Sequence, residues 1–176
     1  MELKKRNKFF VLLLLIFLTI IAMYIPYKQA LVFVLPERDE IVCYVPMSAG
    51  DTFKIKYTHS IHLTDVIESY QITKHNEIRQ YELEYEDFAI GMPSEAAKGE
   101  HFEMKNGKYY IKNMNRTFEN FLLRVGKVRA NHTFIQGDVS FPLSGAIEPG
   151  ARVRIQVKKI NFIQQMEGVN ILEHKT

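Results

Sequence analysis

The sequence has no tryptophan, one cysteine, and only 9 glycines and 6 prolines among 176 residues. A single cysteine excludes an internal disulfide, and Cys43, in the run Glu-Ile-Val-Cys-Tyr-Val, reads as an inert core thiol. So little glycine and proline excludes a fibrous repeat, and 47% hydrophobic residues exclude disorder. One compact core is expected. Net charge is also missing from most of the chain. The formal charge is +3, but four of the 23 basic residues (Lys4, Lys5, Arg6, Lys8) and one of the 20 acidic residues (Glu2) fall within residues 1–8, leaving 19 of each sign. A nucleic-acid-binding domain concentrates cations to neutralise phosphates, so no nucleic-acid partner is expected.

After the basic octet, residues 9–27 (FFVLLLLIFLTIIAMYIPY) carry no charge. At ~1.5 Å per residue, a helix of that length crosses most of a ~30 Å hydrocarbon core. The sequence thus predicts a cytoplasmic basic segment over 1–8, a transmembrane signal-anchor helix over 9–27 and an extracytoplasmic β domain over 28–176, in a single-pass protein of the cell membrane. The basic flank sets that orientation. Cleavage needs small residues at −3 and −1, but Ala22 is preceded by Ile20 and Ala30 by Lys28, so an uncleaved anchor is expected.

From residue 30 the hydrophobic period is close to two. Val153, Ile155 and Val157 alternate with Arg152, Arg154, Gln156 and Lys158, which is the pattern of a half-buried strand. Similar strands are read at 52–59, 65–73, 78–88, 108–112, 121–128 and 132–135, divided by turn signals such as Asn106-Gly107 and Glu148-Pro149-Gly150. The fold class expected is all-β, an antiparallel β-sandwich or open barrel of roughly seven to nine strands. Residues 161–173 suit one short terminal helix or an additional strand.

The stretch from Tyr57 to Tyr70 carries the most chemistry. Phe53, Ile55, Tyr57 and His59 share one strand face, and Val66, Glu68, Tyr70 and Ile72 share another. With a turn near 61–64, His59 falls opposite Val66 or Glu68, within side-chain reach across the pair. A buried carboxylate needs a partner, and His59 is the nearest cationic candidate. The pair reads either as a structural contact that fixes the hairpin or as part of a ligand pocket with Ser60 as a further donor. Ser60 is a poor nucleophile for a His59 base, because adjacent strand residues point to opposite faces. Asp87 continues the inward row of the acidic strand 81–86, and the apolar loop after it, restricted by Gly91 and Pro93, is a plug over the open end or the rim of a pocket. Arg116 and Arg124 offer guanidinium groups for a carboxylate, and His132 follows nearby in sequence. The six histidines lack metal-site spacing, so no catalytic residue, metal or cofactor is assigned.

Tyr57-Thr58-His59-Ser60, Glu68-Ser69-Tyr70, Asp87 to Ser94 with its Gly91-Met92-Pro93, and Arg129-Ala130-Asn131-His132 together resemble the bacterial domain of unknown function 1850 family over residues 40–172. His59, Ser60, Glu68, Gly91 and Pro93 occupy its signature positions. The resemblance implies a small anchored or exported protein, often encoded beside TAXI-type TRAP transporters. It points to an accessory or solute-binding module with transporter subunits, and a small organic acid, as partners. An envelope enzyme using His59 and Glu68, or a purely structural envelope protein, is the alternative.

Overall fold

A computed structural model describes the backbone of residues 2–61, 63–86, 92–127 and 130–173, with their side chains from Asn7 onward. Asp87 and Gly91, expected at the site, lie outside the described residues.

Twelve strands are described, more than the sequence suggests. In chain order they are β1 (Lys28–Leu35), β2 (Glu40–Pro46), β3 (Thr52–Thr58), β4 (Asp65–Ile72), β5 (Ile78–Tyr85), β6 (His101–Lys105), β7 (Lys108–Phe118), β8 (Asn120–Arg124), β9 (Thr133–Gln136), β10 (Val139–Pro142), β11 (Arg152–Ile160) and β12 (Val169–Asn170). They form a five-stranded sheet in the order β12-β2-β1-β11-β8 and a seven-stranded sheet in the order β10-β9-β3-β4-β5-β7-β6. All the pairings described are antiparallel except β12 with β2, which is parallel. The chain is therefore mostly β, as the alternation requires, but not wholly antiparallel.

The extra strands arise where the period-two signal fails. Within β1, Ala30 to Val34 are all 0% exposed, because Leu31 and Phe33 enter the core between the sheets while Ala30, Val32 and Val34 pack on the opposite face with Ile41, Tyr44 and Ile160. A strand buried on both sides reads as a continuous apolar run. Between β6 and β7, the predicted Asn106-Gly107 turn adopts φ +53° and +78° with Lys105 opposite Lys108, a two-residue hairpin that needs left-handed backbone at both positions.

A row of aromatic rings ties the sheets together. Phe33 of β1 meets Phe134 of β9 edge-on at 6.1 Å, Phe134 stacks on Phe53 of β3 at 5.6 Å, Phe53 on Tyr70 of β4 at 5.1 Å, and Tyr70 on Phe121 of β8 at 5.4 Å. These separations suit attractive ring pairs. The row starts and ends in the five-stranded sheet and crosses the seven-stranded one between.

The N-terminal helix α1 spans Glu2–Met23 and stops four residues short of the predicted Tyr27. Pro26 explains the stop, since it disfavours helical backbone at Ile25. Among the described residues no helix is long and apolar enough to cross a membrane. The uncharged part of α1, Phe9 to Met23, extends for about 22 Å at ~1.5 Å per residue. Its large apolar side chains are exposed on every side of the helix. At the other end, residues 161–173 hold both elements the sequence suggests: α2 (Phe162–Glu167), closed by an Asn161/Gln164 capping box, and then β12.

Candidate functional site

The β3–β4 register decides what faces Glu68. Tyr57 lies opposite Val66, Ile55 opposite Glu68 and Phe53 opposite Tyr70. On its other side Glu68 is opposite Leu83 of β5. The face assignment from parity holds, but His59 does not lie across from Glu68 or Val66. It has left the strand at the hairpin turn, where its N–H donates to the Thr64 carbonyl at 2.8 Å and its carbonyl accepts from Leu63 N–H at 3.0 Å. Four residues separate it from Ile55, about 13 Å along a strand. The Ile61 N–H approaches its Nδ1 at 3.4 Å, and Ser60 is exposed beside it. Leu63 adopts φ +58°, a backbone uncommon outside glycine, at the tip of this turn.

Glu68 instead takes a hydrogen bond from the Tyr70 hydroxyl at 2.7 Å to its Oε2. Burial pushes the Glu68 carboxyl above its ordinary range, and the Tyr70 bond pulls it partly back. The Tyr70 phenol is pushed up first by burial, then by the Glu68 charge and the shared hydrogen bond. Tyr57 is raised by burial and by the same carboxylate. The Glu68 charge thus disfavours ionisation of both tyrosines, while the Tyr70 hydroxyl, as donor, favours the Glu68 carboxylate.

Tyr57 stacks on His132 at 5.3 Å. His132 is only 8% exposed, and burial lowers its pKa. Its Nδ1 accepts from the Gly126 N–H at 3.1 Å, which keeps that nitrogen unprotonated. Glycine is required at 126, because an added Cβ would come within 2.7 Å of the Ala130 Cβ. The structure therefore brings Tyr57, Glu68, Tyr70 and His132 together as one half-buried polar and aromatic group. Of these, Glu68 and His132 are candidates from the sequence, whereas Tyr57 and Tyr70 read there as strand aromatics. The available signal is the parity Tyr70 shares with Glu68 and the inward parity of Tyr57 on the paired strand.

The two arginines stand apart from this group. Arg116 makes a forked contact with Glu100, with Nε and Nη2 reaching Oε1 at 3.2 and 3.1 Å. Arg124 is exposed at the end of β8, opposite Arg152. Pro93 does close the inner face. Its carbonyl accepts the Tyr85 hydroxyl, and Met92 packs on the apolar cluster of Val66, Leu83, Tyr85, Ile111 and Met114, so the described part of this loop acts as a plug. A groove of about 430 Å³ opens elsewhere, at the bulge between β5 and β7, walled by Arg79, Tyr81, Glu82, Lys112 and residues 113–115. Among the described residues no group of three or more histidine, cysteine or acidic side chains could hold a metal ion.

A neutral tyrosine donating to a half-buried carboxylate can hold a proton or bind a polar group. His59 sits at the hairpin turn, while the Glu68 carboxylate accepts from the Tyr70 hydroxyl. No curated protein and no solved structure matches the chain. The match to a known family runs from Phe53, near the start of β3, to Leu143, just past β10, and so covers the seven-stranded sheet while leaving β1, β2, β11 and β12 outside. It is narrower than 40–172, yet it takes in more than half of the sequence, and the chain belongs to the family described as domain of unknown function (DUF1850).

Proposed function

We propose that the protein is a membrane-anchored extracytoplasmic module, accessory to a solute-uptake system of the TRAP (TAXI) type. The observation that carries this reading is α1, whose large apolar side chains from Phe9 to Ile21 are 44–61% exposed around the whole helix. A surface apolar on all sides is stable in lipid and unstable in water. The uncharged helical stretch of about 22 Å is shorter than a ~30 Å core, a mismatch that local bilayer thinning and snorkelling of flanking side chains such as Lys8 absorb at modest cost. The neutral β body then sits outside the membrane on the side away from the basic octet. Burial raises the Glu68 carboxyl above its ordinary range, and beside the Tyr70 hydroxyl it offers a polar group to a small organic acid.

Crosslinking of the full chain in native membranes tests the assignment. Recovery of a transporter subunit, lost when β3–β4 hairpin residues Ile61 and Leu63 are changed to serine, is expected. Recovery of no transporter subunit would overturn it.

A further inference from the structure

The β domain is not tethered loosely to α1. Tyr27 N–H donates to the Ile160 carbonyl at the end of β11 at 3.1 Å, and the Nδ2 of Asn161, the cap of α2, donates to the Tyr24 carbonyl at 3.3 Å. Gln165, within α2, reaches the Tyr27 hydroxyl at 3.0 Å. The end of α1 and the short helix α2 are thus fixed side by side, with no linker between α1 and β1 beyond Tyr24 to Tyr27.

At that junction large apolar side chains face solvent. Tyr24, Ile25 and Tyr27 are 57–60% exposed, and on α2 Phe162 is 42% and Met166 70% exposed. Phe162 and Met166 are four residues apart and lie on one face of the helix. Their exposure is not required by folding, since Ile160 and Tyr44 beneath are already buried. Lys159 is exposed two residues before the capping Asn161, and Lys28 lies opposite Ile160 with its Nζ 6.0 Å from the Tyr44 ring. Glu167 subtracts one charge from this cluster.

We infer that Tyr24, Ile25, Tyr27, Phe162 and Met166 form a collar that docks on the lipid headgroup and upper acyl region, so that α2 lies on the bilayer and holds the five-stranded sheet against it. The inference rests on the anchoring reading of α1 and is carried by the collar's continuity with α1. An apolar helical stretch of about 22 Å draws the next residues of the chain down to the interface. Those residues include two tyrosines, which favour that depth, with α2 and its exposed Phe162 and Met166 bound to them and lysines that suit headgroup phosphates. A transporter surface covering the same collar is the competing occupant.

The test uses the full chain in vesicles of phosphatidylcholine with one quarter phosphatidylglycerol and no other protein. Nitroxide labels are placed singly at Leu15→Cys, Met166→Cys and Asn106→Cys in a Cys43→Ala background, with unfolding curves confirming each fold. Collision with a water-soluble nickel complex and with oxygen reads depth. The expected result is a loss of nickel collision and a gain of oxygen collision at 166 relative to the exposed turn at 106, with 15 deeper still. Label 15 immersed while 166 collides with nickel as freely as 106 overturns the collar and leaves the anchor standing. Label 15 open to nickel overturns both. In Phe162→Glu/Met166→Glu, whose side chains are already exposed, the anchor persists while a label at Tyr27→Cys regains nickel collision.

Discussion

The inner face of β3 and β4 has two unlike ends. At one end Phe53, Ile55 and Ile72 are sealed between the sheets with Phe134 and the ring of Tyr70. At the other, Tyr57 and Glu68 are only partly covered, and the neighbouring apolar cluster is closed by the loop carrying Met92 and Pro93. The five-stranded sheet accounts for the contrast. Its edge strand β8 reaches Tyr70 through Phe121, and the seven-stranded sheet continues past it through β5, β7 and β6. Where the second sheet covers this face its side chains are aliphatic or aromatic, and where it ends a carboxylate bonded by the Tyr70 hydroxyl is tolerated. Tyr70 joins the ends, with its ring in the aromatic row and its hydroxyl on Glu68.

The largest effect should come from the sealed end. Phe134 is fully buried between Phe33 and Phe53, so Phe134→Ala removes one of the two aromatic links between the sheets and is expected to cost about 3–5 kcal/mol. Denaturant unfolding of the full chain measures it. A cost below ~1.5 kcal/mol, the range of well-tolerated core swaps, would mean the aromatic row does not join the sheets.

At the open end a smaller, pH-dependent effect is expected. Tyr70→Phe keeps the stacked ring and strips Glu68 of its donor, costing about 1–3 kcal/mol at neutral pH. The folded pKa of Glu68 is raised, so its stabilising contribution is complete below the unfolded value of about 4.3 and is lost as pH rises through the folded value. Glu68→Gln should therefore abolish that decline, and Tyr70→Phe, which removes the bond that lowers the pKa, should move it to higher pH. His132 has the opposite sign. Its folded pKa is lowered, so its contribution holds above about 6.5 and is lost as pH falls through the folded value. Subtracting the Glu68→Gln melting profile from that of the parent isolates the carboxylate. A flat difference from pH 4 to 8 would show Glu68 to be as solvated as a surface carboxylate.

How much of this is legible in the sequence depends on whether a local rule or a distant one decides. Strands with one wet face, such as β11 and β3, show themselves by alternation, and the turn at Asn106-Gly107 by its residue types. β1 does not, because both its faces are buried by elements far away in sequence. The inward face of Glu68 follows from parity alone, but its partner does not. Counting residues puts His59 on the right face and cannot show that the backbone leaves the strand at Thr58. The partner that nearest-cation reasoning passes over is Tyr70, two residues away on the same strand and face. The partner of Arg116 is hidden for a similar reason, since Glu100 is supplied by the loop before β6, which carries no period to read.

The smallest effect tests the separation of the turn from the open end. His59 is held by backbone bonds to Thr64 and Leu63, while Glu68 lies about four residues down the strand, ~13 Å away. Sites that far apart add to within ~0.3–0.5 kcal/mol, so a cycle of His59→Ala, Glu68→Gln and the double variant should show coupling no larger than that. Coupling above ~1 kcal/mol would make the two side chains one unit, as the general-base reading requires. Additivity has a functional corollary. The His59-Ser60 signature would then act through the surface of an exposed hairpin tip that also presents Ile61 and Leu63, and Glu68 through the interior. Glu68→Gln would alter the pH profile of stability whatever it does to solute uptake, whereas His59→Ala is expected to lower uptake without removing the Glu68-dependent decline.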